Sequence, residues 1–271
     1  MKKFRITAYV ASALLAGATT LTGAATPATA AATGGYVALG DSYSSGVGAG
    51  NYIPSSGSCQ RSTNAYPYLY NAAHPSSSFA FNACSGATTD DVLAKQLGSL
   101  NSSTSLVTIT IGGNDAGFAD VMRTCVLSIR SVCQSRVSTA QAYIASTMPG
   151  KLDRVYTAIR AKAPSARVVV LDYPGFYETG NISCLGLSDE SRRKINQAVL
   201  DMDNVIRDQV RRHSFSLGWY SSVASLHRIC SDDPWLNDVE LGDTNKSYHP
   251  NAAGQRGYLS VLENYTFPLH P

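Results

Sequence analysis

The sequence predicts an α/β protein, a parallel sheet covered by helices on both faces, and three observations carry that reading. Short apolar runs of strand type recur at Tyr36 to Leu39, Phe79 to Phe81, Leu106 to Ile111, Arg167 to Asp172 and, more weakly, Phe215 to Tyr220. Longer amphipathic stretches separate them, as crossover helices between parallel strands require. No internal repeat, low-complexity linker or second composition regime interrupts the alternation, so residues 35–271 read as a single domain.

Each element has its own signal. The first run stops at Gly40 and gives way to "GDSYSSGVGAG", a turn rich in hydroxyls and glycines. The second is followed by "NACSGATTDD" and the third ends in "TIGGNDAG", where Asp115 could cap the helix behind it. A helical stretch from Val137 to Ala161 carries Pro149-Gly150 and is expected to divide there. Ser188 to His213 opens with a capping serine and two acids. It places Ile195, Val199, Met202, Ile206 and Val210 at spacings of four, three, four and four, the pattern of an amphipathic helix. A last helix is expected from about Asn251 to Tyr265.

The chain has 271 residues, 44% hydrophobic and 15% charged, enough for one sizeable core. Its first thirty residues carry Lys2, Lys3 and Arg5, an apolar stretch from Ile6 to about Leu21 and an A-x-A site at Ala28 to Ala30. That is the pattern of a secretory signal peptide, cleaved at about 30–34, and it implies an extracellular protein. The apolar stretch is broken by Thr19, Thr20 and Gly23, which argues against a membrane anchor. Its three cations account for the whole excess of 22 basic over 19 acidic residues, so the mature chain is near neutral and nothing points to a nucleic acid. The pairs Arg192-Arg193 and Arg211-Arg212 lie on the amphipathic helix, where a solvated face is expected.

Six cysteines remain: Cys59, Cys84, Cys125, Cys133, Cys184 and Cys230. An even count in an exported protein reads as disulfides, with 15 possible pairings. Pairing in chain order, Cys59-Cys84, Cys125-Cys133 and Cys184-Cys230, is favoured because each bridge then staples one local region. No Cys-x-x-Cys occurs and no histidine stands at ligand spacing from a cysteine, so no metal or cofactor is expected.

In such sheets the functional crevice lies outside the carboxyl ends of the strands. Ser42 follows the first strand by two residues. Gly86 after the second could bring a bare N–H to a ligand, and Asn114 at the third tip is a neutral donor. The N–H groups of Ser42 and Gly86 with the Asn114 amide could form an oxyanion hole, where one donor is typically worth ~10²–10³ in rate. A serine nucleophile needs a base. Of the five histidines, His249 is best placed, in the polar loop "NKSYHPNAAG" before the last helix.

"GDSYSSG", Gly86 in "CSGA", "GGND" at Gly112 to Asp115 and "HPN" at His249 to Asn251 resemble, in order and spacing, the motifs of the SGNH, or GDSL, hydrolases. With its cysteines the chain is similar to the secreted bacterial lipases and A1-type phospholipases of that family. The resemblance implies a flavodoxin-like three-layer α/β/α sandwich. It also implies Ser42 as nucleophile, His249 as base, and Gly86 and Asn114 as oxyanion donors. The family's aspartate three residues before the histidine is here Lys246. Either Asp243 orients the imidazole, or the backbone carbonyl of Ser247 does so in a Ser-His dyad, and the dyad is preferred.

No Gly-x-Ser is completed to the Gly-x-Ser-x-Gly of α/β-hydrolases. The expected function is a secreted lipase or phospholipase acting on lipid acyl esters, as a monomer without stable membrane insertion. Tyr52-Ile53-Pro54, "DYPGFYETG" from Asp172 and Trp235-Leu236 are candidate walls for an acyl chain. A short-chain or carbohydrate esterase is the alternative. A metal-dependent phosphoesterase using Asp41, Asp115 and His249, and a non-catalytic binding module, rank lower.

Overall fold

Five strands form one sheet in the order β2-β1-β3-β4-β5, with every neighbouring pair parallel. They are β1 (Ala32–Gly40), β2 (Ser76–Phe81), β3 (Thr104–Thr110), β4 (Arg167–Leu171) and β5 (Ser216–Gly218). The computed structural model describes residues 1, 32–180, 184, 186–239 and 244–266. The signal segment expected over residues 1–30 therefore lies, Met1 apart, outside the described residues. Ala31–Pro271 make up one compact unit.

Each strand falls on one of the five apolar runs. Strands buried on both faces read as continuous apolar sequence rather than alternation, and Tyr36 to Leu39 in β1 and Leu106 to Thr110 in β3 are buried throughout. The polar members of β3 are satisfied inside: the Thr108 hydroxyl meets the Tyr36 hydroxyl at 2.8 Å.

The helices are α1 (Ser42–Ser45), α2 (Tyr66–Ala73), α3 (Thr89–Asp91), α4 (Phe118–Leu127), α5 (Arg130–Ser146), α6 (Met148–Lys162), α7 (Asp189–Arg212), α8 (Tyr220–Val223) and α9 (Ala252–Thr266). One layer joins α2, α8 and α9; the other joins α4, α5, α6 and α7. The chain is a three-layer α/β/α sandwich with flavodoxin-like strand order, and its chain reversal lies between β1 and β3, where such folds place their site.

Local chemistry explains the boundaries. The break between α5 and α6 falls at Thr147, and Pro149 sits in the first turn of α6, where an N–H has no helical partner to lose. Ser188 caps α7 by accepting from the Ser191 N–H, with Asp189 and Glu190 in the first turn and Arg211 and Arg212 in the last. The solvated face expected for Arg192-Arg193 holds for Arg193 alone. Arg192 is buried and donates to the Cys184 carbonyl at 3.0 Å, because the chain after β4 folds back over the start of α7. Disulfides join Cys59 to Cys84, Cys125 to Cys133 and Cys184 to Cys230. Among the described residues no helix is long and apolar enough to cross a membrane.

Candidate active site

Ser42 stands at the first turn of α1, directly beyond β1. The end of β1 is clamped by Gln96, whose side-chain oxygen accepts from the Gly40 N–H at 2.8 Å while its amide donates to the Gly40 carbonyl at 2.9 Å. Asp41 caps α1, accepting from the Tyr43 N–H at 3.0 Å. The same carboxylate accepts from Thr110 Oγ1 at 2.7 Å and from the Tyr173 hydroxyl. Burial pushes the Asp41 carboxyl up to about 6, with the Tyr173 and Thr110 hydroxyls and the Tyr43 amide pulling it back. Asp41 thus ties together the tips of β1, β3 and β4.

Ser42 Oγ lies 2.8 Å from His249 Nε2. On the far side of the ring, Nδ1 lies 3.0 Å from the Ser247 carbonyl oxygen. A carbonyl only accepts, so Nδ1 carries the hydrogen and Nε2 is left bare to take the serine proton. Burial draws the His249 imidazole down to about 4, although the backbone carbonyls of Ser247 and Asn245 favour its charged form. Lys246 stands where the family motif has its aspartate; Asp243, the alternative partner, lies outside the described residues.

The loop carrying His249 is fixed from several sides. Asn237 accepts from the Tyr248 N–H at 2.9 Å through its carbonyl, and its side chain donates to the carbonyls of His249 at 3.0 Å and Gly48 at 3.1 Å. Gly48 must be glycine: φ is +89°, and a Cβ would lie 2.9 Å from His249 Cβ and 2.6 Å from Asn237 Nδ2. The Tyr43 hydroxyl donates to the Tyr248 carbonyl at 2.7 Å, so the neighbour of the serine holds the neighbour of the histidine. Tyr248 itself adopts φ +67°, a costly conformation for a tyrosine that these contacts maintain. Asn251 caps α9, its oxygen accepting from the N–H groups of Ala253 and Gly254.

Asn114 Nδ2 donates to the Ala87 carbonyl at 3.0 Å, which uses one of its two hydrogens. The Cys84 N–H donates to the Gly40 carbonyl at 3.0 Å. Gly86, at φ +76°, lies in the short turn held between these two bonds. Asp115 does not cap α4. It reaches across to α3 and accepts from the Thr89 amide at 2.9 Å and hydroxyl at 2.7 Å, because Gly117 in the left-handed conformation turns the chain before α4 begins.

Beside Ser42 and Asn114 opens an apolar pocket walled by α4, α5 and α7 through Phe118, Val121, Ile144, Ile195 and Met202. Of the three aromatic stretches singled out in the sequence, one lines it, through Tyr173 and Phe176. Trp235 instead stacks on His227 at 3.8 Å, Leu236 pairs with Pro250, and Tyr52 accepts from the Gly48 N–H. Among the described residues no three His, Cys, Asp or Glu side chains gather as metal ligands. The sequence did not single out Gln96, Tyr43 or Thr110 for the site. Asp41 inside "GDS" was the one available signal, since an acid beside a buried strand end needs donors.

The chain matches the GDSL-like Lipase/Acylhydrolase family over residues 38–256. It belongs to that family. Membership makes it a carboxylic-ester hydrolase. It is 55% identical over 265 residues, 97% of this chain and 98% of the relative, to Lipase 1 of Streptomyces coelicolor. It is also 55% identical over 232 residues to a lipase of Streptomyces rimosus, covering 85% of this chain and 86% of that one. The crystal structure of phospholipase A1 from Streptomyces albidoflavus NA297 superposes with a TM-score of 0.85 at 56% identity, covering 86% of this chain and 99% of that chain.

Proposed function

We propose that this GDSL hydrolase is exported and cleaves acyl esters of lipids through a Ser42-His249 dyad. The observation that carries the reading is the 2.8 Å contact between Ser42 Oγ and a bare His249 Nε2 beside an apolar pocket lined by Phe118, Val121, Ile144, Ile195 and Met202. Relatives named lipase and phospholipase A1 support the lipidic substrate, and the apolar side chains lining the pocket suit an aliphatic acyl chain.

His249 takes the Ser42 proton as Oγ attacks the ester carbonyl, and the Ser247 carbonyl stabilises the imidazolium that forms. The oxyanion of the tetrahedral intermediate is met by the N–H groups of Ser42 and Gly86 and by the second hydrogen of Asn114 Nδ2. His249 then protonates the leaving alcohol. Water, activated by the same imidazole, hydrolyses the acyl-enzyme and restores Ser42.

The test is hydrolysis of p-nitrophenyl esters of graded length, a triacylglycerol and a diacyl phospholipid by wild type, Ser42→Ala and Asp243→Asn, with products identified by mass spectrometry. Ser42→Ala is expected to lose turnover and labelling by an organophosphonate; equal hydrolysis by that variant rejects Ser42 as nucleophile. Asp243→Asn is expected to stay within about twofold of wild type, whereas a loss near the ~10⁴ of a missing triad acid establishes a triad instead.

A further inference from the structure

Buried disulfide-stapled hairpins normally hide their apolar side chains, and the one between α4 and α5 does the opposite. Leu127 and Ile129 at its tip are each 72% exposed, and Val126 and Val132 beside them are 40% and 46% exposed. Four such side chains occur here within seven residues, more than in the other exposed group, Trp219, Val223 and Leu226, and together they form an apolar surface patch. The Cys125-Cys133 bridge closes the base of the hairpin, so the tip is presented rigidly.

What it meets is constrained by its charge and its position. From Val121 to Ser135 the chain carries Arg123 and Arg130 and no acid. Arg130 pairs with Glu190 across an exposed contact, while Arg123 is exposed with no ion-pair partner among the described residues. The apolar tip is also continuous with the site. Phe118, Val121 and Met122 on α4 line the apolar pocket beside Ser42, and Val126 on the next turn shares a groove with Tyr248, the neighbour of His249. Phe118 and Tyr248 rings close the gap at 6.3 Å between centroids. The same helix thus lines the pocket beside Ser42 with its first turns and carries the exposed apolar tip at its end.

We infer that the α4–α5 hairpin is the lipid-docking element: Leu127 and Ile129 insert into the surface of aggregated lipid, Arg123 faces its anionic headgroups, and the docked helix aims the pocket mouth at the acyl chains. The inference rests on the lipid reading of the site. It gives that site a route by which a substrate held in a bilayer or droplet reaches Ser42 without crossing water. Two large aliphatic side chains and one free cation make a reversible surface anchor, in keeping with the absence of a spanning helix among the described residues.

The experiment uses flotation with phosphatidylcholine vesicles, with and without 30 mol% phosphatidylglycerol as a chosen anionic fraction, and turnover of monomeric p-nitrophenyl butyrate. Binding is measured in the Ser42→Ala background so that vesicles stay intact; turnover is measured with Ser42 present. The pair Leu127→Ser and Ile129→Ser is expected to weaken vesicle binding and hydrolysis by roughly tenfold or more, while butyrate turnover stays within about twofold, which also reports a folded enzyme. Arg123→Gln is expected to remove most of the preference for anionic vesicles. Leu226→Ser, which changes a side chain 80% exposed but outside the hairpin, is expected to change neither. Vesicle binding unaffected by the hairpin pair, or lowered equally by Leu226→Ser, overturns the inference. A wild type that turns over butyrate but no lipid overturns instead the lipid reading beneath it.

Discussion

At the scale of single residues, the base is tuned by burial rather than by an acid. A histidine paired with a carboxylate is held up; His249 faces backbone carbonyls at Ser247 and Asn245, and desolvation wins, drawing it from 6.5 to about 4. The imidazole therefore stays neutral, and competent to take the Ser42 proton, between about pH 4 and 6.5, where an ordinary histidine would be charged. The acid limb of kcat/KM for p-nitrophenyl butyrate is expected to centre near pH 4, and a limb near 6.5 would contradict the desolvated base. Stability follows the same sign. Because the folded value is depressed, the unfolded chain binds the proton first, so the His249 contribution is complete above 6.5 and is lost as pH falls through about 4.

At the scale of elements, the site depends on three strand tips being held in register, and Asp41 does that from β1 by binding Thr110 on β3 and Tyr173 after β4. Its carboxyl is raised from 3.8 to about 6 by burial. A raised acid contributes stability that is full below the unfolded value and lost as pH rises through the folded one, a window of about 4 to 6 here. Tyr173→Phe removes the hydroxyl that most lowers this value and also the acceptor of the Gly113 N–H, 3.3 Å away. It is expected to cost about 1–3 kcal/mol at pH 8, where Asp41 is charged, and clearly less at pH 5, where it is protonated. Denaturant midpoints at the two pH values check this, and an equal loss at both would sink it. How far such elements can be read from sequence is visible here. The strands were legible because parallel strands buried on both faces leave unbroken apolar runs, and α7 because its core residues keep helical spacing. Ser42 and His249 stood out in the sequence as a hydroxyl after a strand and an imidazole before a helix, and their side chains lie 2.8 Å apart; Gly86 and Asn114 carry only turn chemistry that does not by itself mark a site. Gln96, 56 residues from its partner Gly40, carries no local mark. Asp115 misled because a cap and a cross-loop acceptor look alike until Gly117 is known to turn the chain.

For the whole molecule, the disulfides divide their work by loop length. Bridges 46, 25 and 8 residues apart remove unfolded-state entropy worth about 4, 3.5 and 2.5 kcal/mol in the chain-entropy account. The long bridge joins Cys184, whose carbonyl Arg192 holds, to Cys230 in the segment leading to His249, so it ties the start of α7 to that segment. The short bridge at the α4–α5 hairpin stabilises least, and its weight falls on shape: without it the hairpin keeps its helices but not a fixed tip. Replacing each pair by serines should therefore lower denaturant stability in the order Cys184-Cys230, Cys59-Cys84, Cys125-Cys133. The last pair should leave butyrate turnover near wild type while weakening hydrolysis of vesicle lipid. If removing Cys125-Cys133 proved the most destabilising of the three, or slowed both substrates alike, that bridge would belong to the core and not to the presentation of Leu127 and Ile129.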